Sequence, residues 1–170
     1  MDYLWDNEKI PDYPALSGDT TADVAVIGGG MAGVLCAYRL QEAGADCIVI
    51  DGDVPGCGTT RGTTAVLTAQ HSTLYSDLIA KRGEAAARRY LRANLRAAEQ
   101  FRALSEKIPC NFETRPSCMY TCGTAAEYQP ERLYREAQAV RALDFPAEFV
   151  REAGLQVKKD GEEGFANKGE

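Results

Sequence analysis

An α/β fold built on a parallel sheet is what this sequence of 170 residues predicts, and three observations carry the prediction. A β-branched run, DVAVI at 23–27, ends in three consecutive glycines. A helical composition follows directly at 31–42 and closes at Gly44, the usual residue type just past a helix end. A second apolar run, CIVID at 47–51, then completes strand, glycine turn, helix and strand within about thirty residues, the length of a βαβ unit. Two parallel strands with a crossover helix between them define an α/β sheet.

The remaining elements follow in chain order. Residues 1–21 carry prolines and acids without a period, so they read as an extended N-terminal arm whose aromatic residues Tyr3, Trp5 and Tyr13 are expected to anchor it to the body. Residues 52–70 hold four glycines and five threonines, which predicts a loop that hugs something rather than a regular element. From 74 to about 108 the apolar residues Leu91, Leu95, Ala98, Phe101, Leu104 and Ile108 recur at steps of three and four, the pattern of a long helix with one buried face that Gly83 is placed to split. The runs CNFET at 110–114 and CMYTC at 118–122 predict a β-hairpin or a pair of strands. Pro130 opens a helix to about Leu143, the Asp144-Phe145-Pro146 sequence breaks it, and AEFVREAG reads as a short turn or helix. Three regions result: the arm at 1–21, a main domain at 22–155, and a charged, glycine-rich tail at 156–170 that the composition predicts to be disordered.

Composition narrows the function. With 45% hydrophobic and 26% charged residues and a net charge of -6, the chain has the make-up of an ordinary soluble domain, and general nucleic-acid binding finds no support in the overall charge. The longest apolar stretch, 24–38, has 15 residues and four glycines, too short and too glycine-rich for a membrane span. The acidic N-terminus has neither the basic nor the apolar region of a secretory signal, so a cytoplasmic location is expected. Six cysteines contain no CxxC spacing and one histidine accompanies them, which favours reduced structural thiols over a metal site.

The informative motif is Gly28-x-Gly30-x-x-Gly33 in its context after a strand and at a helix start, with Asp51 at the end of the second strand, 18 residues beyond Gly33. Each residue has a physical task in a Rossmann-like dinucleotide site. Gly28 permits the tight turn, Gly30 lets a pyrophosphate approach the backbone, and Gly33 lets the helix lie close on the sheet. The N–H groups of Met31, Ala32 and Gly33, in the first helical turn, face the phosphates, and Asp51 accepts from ribose hydroxyls. An acid at 51 also repels the extra phosphate of NADP. FAD and NAD both remain open on this fingerprint.

Beyond the fingerprint, the sequence resembles the FAD-dependent oxidoreductases of the glycine oxidase and D-amino-acid oxidase type. The similarity is to the subgroup whose members often carry a C-terminal Rieske iron–sulfur domain. It rests on Trp5 and Tyr13-Pro14 in the arm, TTRGTTAVLTAQHSTLY at 59–75, NFETRPSCMYT at 111–121 and FPAEFVREAG at 145–154. The resemblance implies FAD as cofactor, with Arg61, Gly62, Thr63, Thr64 and Ala65 lining it. It also implies hydride transfer to flavin from a small amine or amino-acid-like substrate, and makes the long helix and hairpin part of an incomplete substrate domain. Glycines and small hydroxyl residues at 61–65 agree with close approach to phosphate or flavin oxygens. Family members are longer, and the half that supplies much of their substrate site is not recognisable here. A Rieske centre takes two histidines, and this chain has one. No catalytic acid or base is assigned. The alternative to an enzyme portion is a truncated dinucleotide-binding module without activity of its own.

Other residues read as structural. His71, beside the expected cofactor loop, fits a packing or helix-start role better than catalysis. Residues 81–107 carry eight basic and three acidic side chains, a local charge of +5, which reads as a solvated helix face with Glu84 and Arg88 as an i,i+4 pair. Cys118 and Cys122 read as ordinary thiols rather than a redox pair, and Cys57 on the loop is the thiol expected to be reactive if any is.

Overall fold

A computed structural model of the protein describes residues 11–121, 130–150, 156–159 and 162–165, the last two stretches as backbone. The chain divides into two compact units, Met1–Val66 and Leu67–Glu170.

The first unit is the βαβ motif. Strand β1 (Val24–Ile27) pairs in parallel with β2 (Cys47–Ile50), with Val24 opposite Cys47 and Ile27 opposite Ile50. Helix α1 (Met31–Glu42) packs on both strands. It stops where Gly44 takes a left-handed φ of +83° and the Ala45 N–H returns to the Leu40 carbonyl at 3.0 Å. These bounds match the expected strand, helix and strand. Burial in this sheet is one-sided. Val26 lies under α1, whereas Ala25 and Ile27 on the opposite face are exposed, Ile27 by 78%. Parallel sheets are normally covered on both faces, and among the described residues of this unit one helix covers one face. Residues 11–21 have no regular structure, and Tyr13 is 62% exposed, so it does not anchor the arm as expected. Tyr3 and Trp5 lie outside the described residues.

The second unit is helical at its centre. Gly83, at φ +78°, separates α2 (Leu74–Arg82) from α3 (Glu84–Ser105), as its position in the apolar pattern predicts. Helix α4 (Pro130–Ala142) packs on α2. Tyr75, Ala87, Leu91, Val140 and Leu143, with Ala69 from the preceding loop, form the core. The predicted buried face of α3 is only half realised: Leu91 is buried, but Leu95 and Ile108 are 38% and 54% exposed. Length accounts for this. A helix of nine residues, as α2 has, reaches about 13 Å, and the 22-residue α3 extends about 33 Å.

Two expectations are corrected here. Residues 111–121 contain no strand, so the predicted β-hairpin is replaced by irregular chain; its apolar residues Phe112 and Tyr120 are exposed, and a lone hairpin without a face to pack on is marginal in water. Cys122 lies outside the described residues, as does the second half of the AEFVREAG stretch, whose first half, 147–150, is irregular. In the tail, where composition predicts disorder, β3 (Gln156–Lys159) and β4 (Glu162–Phe165) pair antiparallel with Lys159 opposite Glu162. The Asp160-Gly161 dipeptide between them is a strong short-range hairpin signal that bulk composition hides.

Candidate cofactor-binding site

The glycine turn joins β1 to α1, and its geometry follows from residues that lack a side chain. Gly28 sits at φ +101°, a conformation that L side chains rarely adopt, and its N–H continues the parallel ladder to the Ile50 carbonyl at 2.7 Å. A Cβ on Gly33 would lie 1.9 Å from the Gly28 carbonyl oxygen, so the helix approaches the strand more closely than alanine allows. A Cβ on Gly30 would meet the Thr60 hydroxyl at 3.3 Å, a tight contact with a neighbour that can give slightly. Gly30 caps α1 without a side-chain hydrogen bond, and the first helical turn contains no acid. The Ala32 and Gly33 N–H groups find no acceptor among the described residues.

Two later segments fold back onto this turn. The Gly29 N–H donates to Asp51 Oδ2 at 2.5 Å, and the Asp53 N–H donates to Asp51 Oδ1 at 3.0 Å. These backbone donors, Gly29 first, hold the Asp51 carboxyl below the usual carboxylate range, so it stays an acceptor at neutral pH. The Gly56 N–H reaches the Gly29 carbonyl at 3.0 Å. The Met31 N–H donates to Thr60 Oγ1 at 2.9 Å, so a threonine from the loop satisfies one of the orphan donors at the helix start.

The loop itself winds through successive turns: Arg61 N–H to Gly58, Gly62 N–H to Thr59, and Thr63 N–H and Oγ1 to the Thr60 carbonyl. Of the residues predicted from sequence, the structure brings Gly28, Gly30, Met31, Gly33 and Asp51 together, with Ala32 exposed on the first turn of α1. Arg61, Gly62 and Thr63 follow Thr60 in the same series of turns. Thr64 and Ala65 are exposed, Ala65 at a left-handed φ of +53°. Sequence reasoning missed Thr60 and the part Gly29 plays; the threonine pairs at 59–60 and 63–64 were a signal, but nothing in them says which hydroxyl meets the helix.

Cys57 is not activated. Burial first, and then the neighbouring Asp53 carboxylate, push its thiol up, the opposite of what a reactive cysteine needs. Cys36, Cys47, Cys57, Cys110 and Cys118 are free thiols, and the described residues contain no cluster of metal-ligating side chains. In the second unit, His71 Nδ1 lies 3.1 Å from the Tyr90 hydroxyl with the rings edge-on, which is the packing role. No helix among the described residues is long and apolar enough to cross a membrane.

Comparison with known proteins agrees with this motif. Over 157 residues the chain is 32% identical to YhfW of Bacillus subtilis (strain 168), a protein named as a Rieske 2Fe-2S iron–sulfur protein; the match covers 91% of this chain and 30% of YhfW. Over 55 residues it is 38% identical to a subunit of the anaerobic glycerol-3-phosphate dehydrogenase of Haemophilus influenzae, covering 32% of this chain and 13% of that protein. The chain thus spans less than a third of the length of either relative. No solved structure matches the chain at a significant level. Residues 23–166 match the family described as FAD dependent oxidoreductase, which takes in the glycine turn, Asp51 and the threonine loop, and the chain belongs to that FAD-dependent family.

Proposed function

We propose that this chain is the FAD-binding portion of an oxidoreductase that oxidises a small amine or amino-acid-like substrate by hydride transfer to the flavin. The observation that carries the reading is the built glycine turn: Asp51 holds Gly29, Thr60 holds Met31, and the Ala32 and Gly33 N–H groups are left without acceptors among the described residues. A helix start with no acid in its first turn, whose Ala32 and Gly33 N–H groups keep no acceptor among the described residues, fits an anionic pyrophosphate, because those donors and the positive end of the helix dipole are both available. In this reading Gly28, Gly30, Met31, Ala32 and Gly33 cradle the pyrophosphate. Asp51 keeps lone pairs beyond its two backbone bonds and accepts from the ribose hydroxyls. Arg61, Gly62, Thr63, Thr64 and Ala65 line the cofactor further along, with Thr60 fixing where that loop begins. When bound, FAD supplies the hydride acceptor, and the chain supplies position and electrostatics.

A second reading, a dinucleotide-binding module without activity of its own, is favoured by one observation: the uncovered face of β1, with Ile27 exposed.

Titration of the purified chain with FAD, followed by flavin absorbance and fluorescence, tests the proposal, with Gly30→Val and Asp51→Ala as variants and far-ultraviolet circular dichroism as the check on folding. Saturable FAD binding that Gly30→Val abolishes and Asp51→Ala weakens by roughly tenfold is expected, the loss of one or two hydrogen bonds to a charged acceptor. A folded chain indifferent to FAD would overturn it. Binding of FAD together with flavin reduction by no amine or amino acid would favour the second reading.

A further inference from the structure

Arg89, Arg92 and Arg96 on α3 are all exposed, and they recur at steps of three and four. On a helix of 3.6 residues per turn this sets them within an arc of about 60° and along about 10 Å of the axis. The arc lies opposite the face that buries Ala87 and Leu91. Other arginines on the same helix are neutralised: Arg88 is paired with Glu84 at 2.7 Å and with Asp144, and Arg102 with Glu99 at 2.5 Å and Glu106 at 3.8 Å. Among the described residues no carboxylate pairs with Arg89, Arg92 or Arg96. Like charges three and four apart weaken a helix, so this row runs against the local stability that the rest of α3 observes. It is also set in a chain of net charge -6, where segment 81–107 alone carries +5.

We propose that Arg89, Arg92 and Arg96 form a docking surface for a partner protein that presents a row of Asp and Glu carboxylates. A guanidinium is a planar fork that takes a carboxylate through two parallel hydrogen bonds. Three forks at steps of three and four match acids spaced one per turn along a partner helix. Ala85 and Ala103, exposed in line with the same arc, are small enough to leave the forks accessible. Nucleic acid fits less well. Three cations neutralise few phosphates, and the aromatic residue next to the stripe, Tyr90, is engaged with His71 and Tyr75 rather than open to stack on a base. The surface goes beyond cofactor binding and stands whether or not the flavin proposal holds.

The test uses the full chain and fluorescence anisotropy with two labelled probes of equal charge, a short poly-L-glutamate peptide and a single-stranded oligothymidylate. The variants are the triple Arg89→Gln, Arg92→Gln and Arg96→Gln, the matching triple arginine-to-lysine, and Arg102→Gln as a control in the paired set. Saturable polyglutamate binding is expected, weakened by salt, by about tenfold or more in the glutamine triple, and less in the lysine triple, which keeps charge but loses the forks. Arg102→Gln binds as the parent does. Glutamine is a good helix former, and circular dichroism confirms that the variants fold. Absence of polyglutamate binding, binding unchanged in a folded triple variant, or tighter binding of the oligothymidylate would each overturn the proposal.

Discussion

At Gly33 a hydrogen in place of a methyl group sets how close α1 lies on β1. The Gly28 carbonyl oxygen is backbone and cannot turn aside from a Cβ at 1.9 Å, so Gly33→Ala must push the helix off the strand. A loss of about 3 kcal/mol is expected, the upper end of what overpacking costs, measured as a lowered denaturation midpoint. Substitutions at Ala32 or Val34 would leave the turn intact, because those positions face solvent. Asp51 and Thr60 act on the same turn from a distance. Both commit a side-chain oxygen to its backbone, so the motif is braced by residues 22 and 29 positions away from their partners.

Between elements, Glu136 is the most consequential side chain. It is buried to 2% exposure on α4, and its two carboxylate oxygens accept from the Tyr75 and Ser76 N–H groups at 2.7 and 2.8 Å. These are orphan donors in the first turn of α2, so a carboxylate from another helix serves as the N-cap, on the end of the helix where the dipole favours negative charge. Beside it Tyr75 donates to the Ala69 carbonyl at 2.5 Å, and burial pushes its phenol up to about 12, so that the donor keeps its proton. Glu136→Ala would leave one buried and one half-buried N–H group without acceptors, and a destabilisation of about 2–4 kcal/mol is expected by thermal or urea unfolding. Glu136→Gln keeps one oxygen and should lose less. An alanine variant as stable as the parent would mean that water replaces the carboxylate.

Across the chain as a whole, pH separates what the ionised carboxylates contribute. Asp51 is held low by backbone N–H groups, and Glu99 is held low by its hydrogen bond and ion pair with Arg102. A group whose folded pKa is depressed contributes stability that is present above its unfolded value and is lost as pH falls through the folded one. Stability is therefore expected to hold from neutral pH down to about 5 and to fall below about 4.5, read as melting temperature against pH. Asp51→Asn should flatten part of that acid slope. Both groups are exposed, so screening keeps each contribution small.

The βαβ unit was legible in the sequence because its signals are local: β-branched runs, a glycine at a position that needs a left-handed φ, and a 3.6-residue period. The split at Gly83, the Pro130 helix start and the glycine motif were legible for the same reason. Local chemistry thus specified which segments form strand, turn and helix around the candidate site, whereas the FAD-dependent family rests on the likeness of longer stretches to known proteins and on the match over residues 23–166. Folding in three dimensions was needed to select Thr60 rather than its neighbours to meet the helix start, to bring Glu136 to the cap of α2, to subdue the Cys57 thiol, and to leave Ile27, Leu95 and Ile108 exposed. Those outcomes depend on contacts between residues far apart in the chain and on which faces find a covering layer, and neither leaves a periodic trace in the residues concerned.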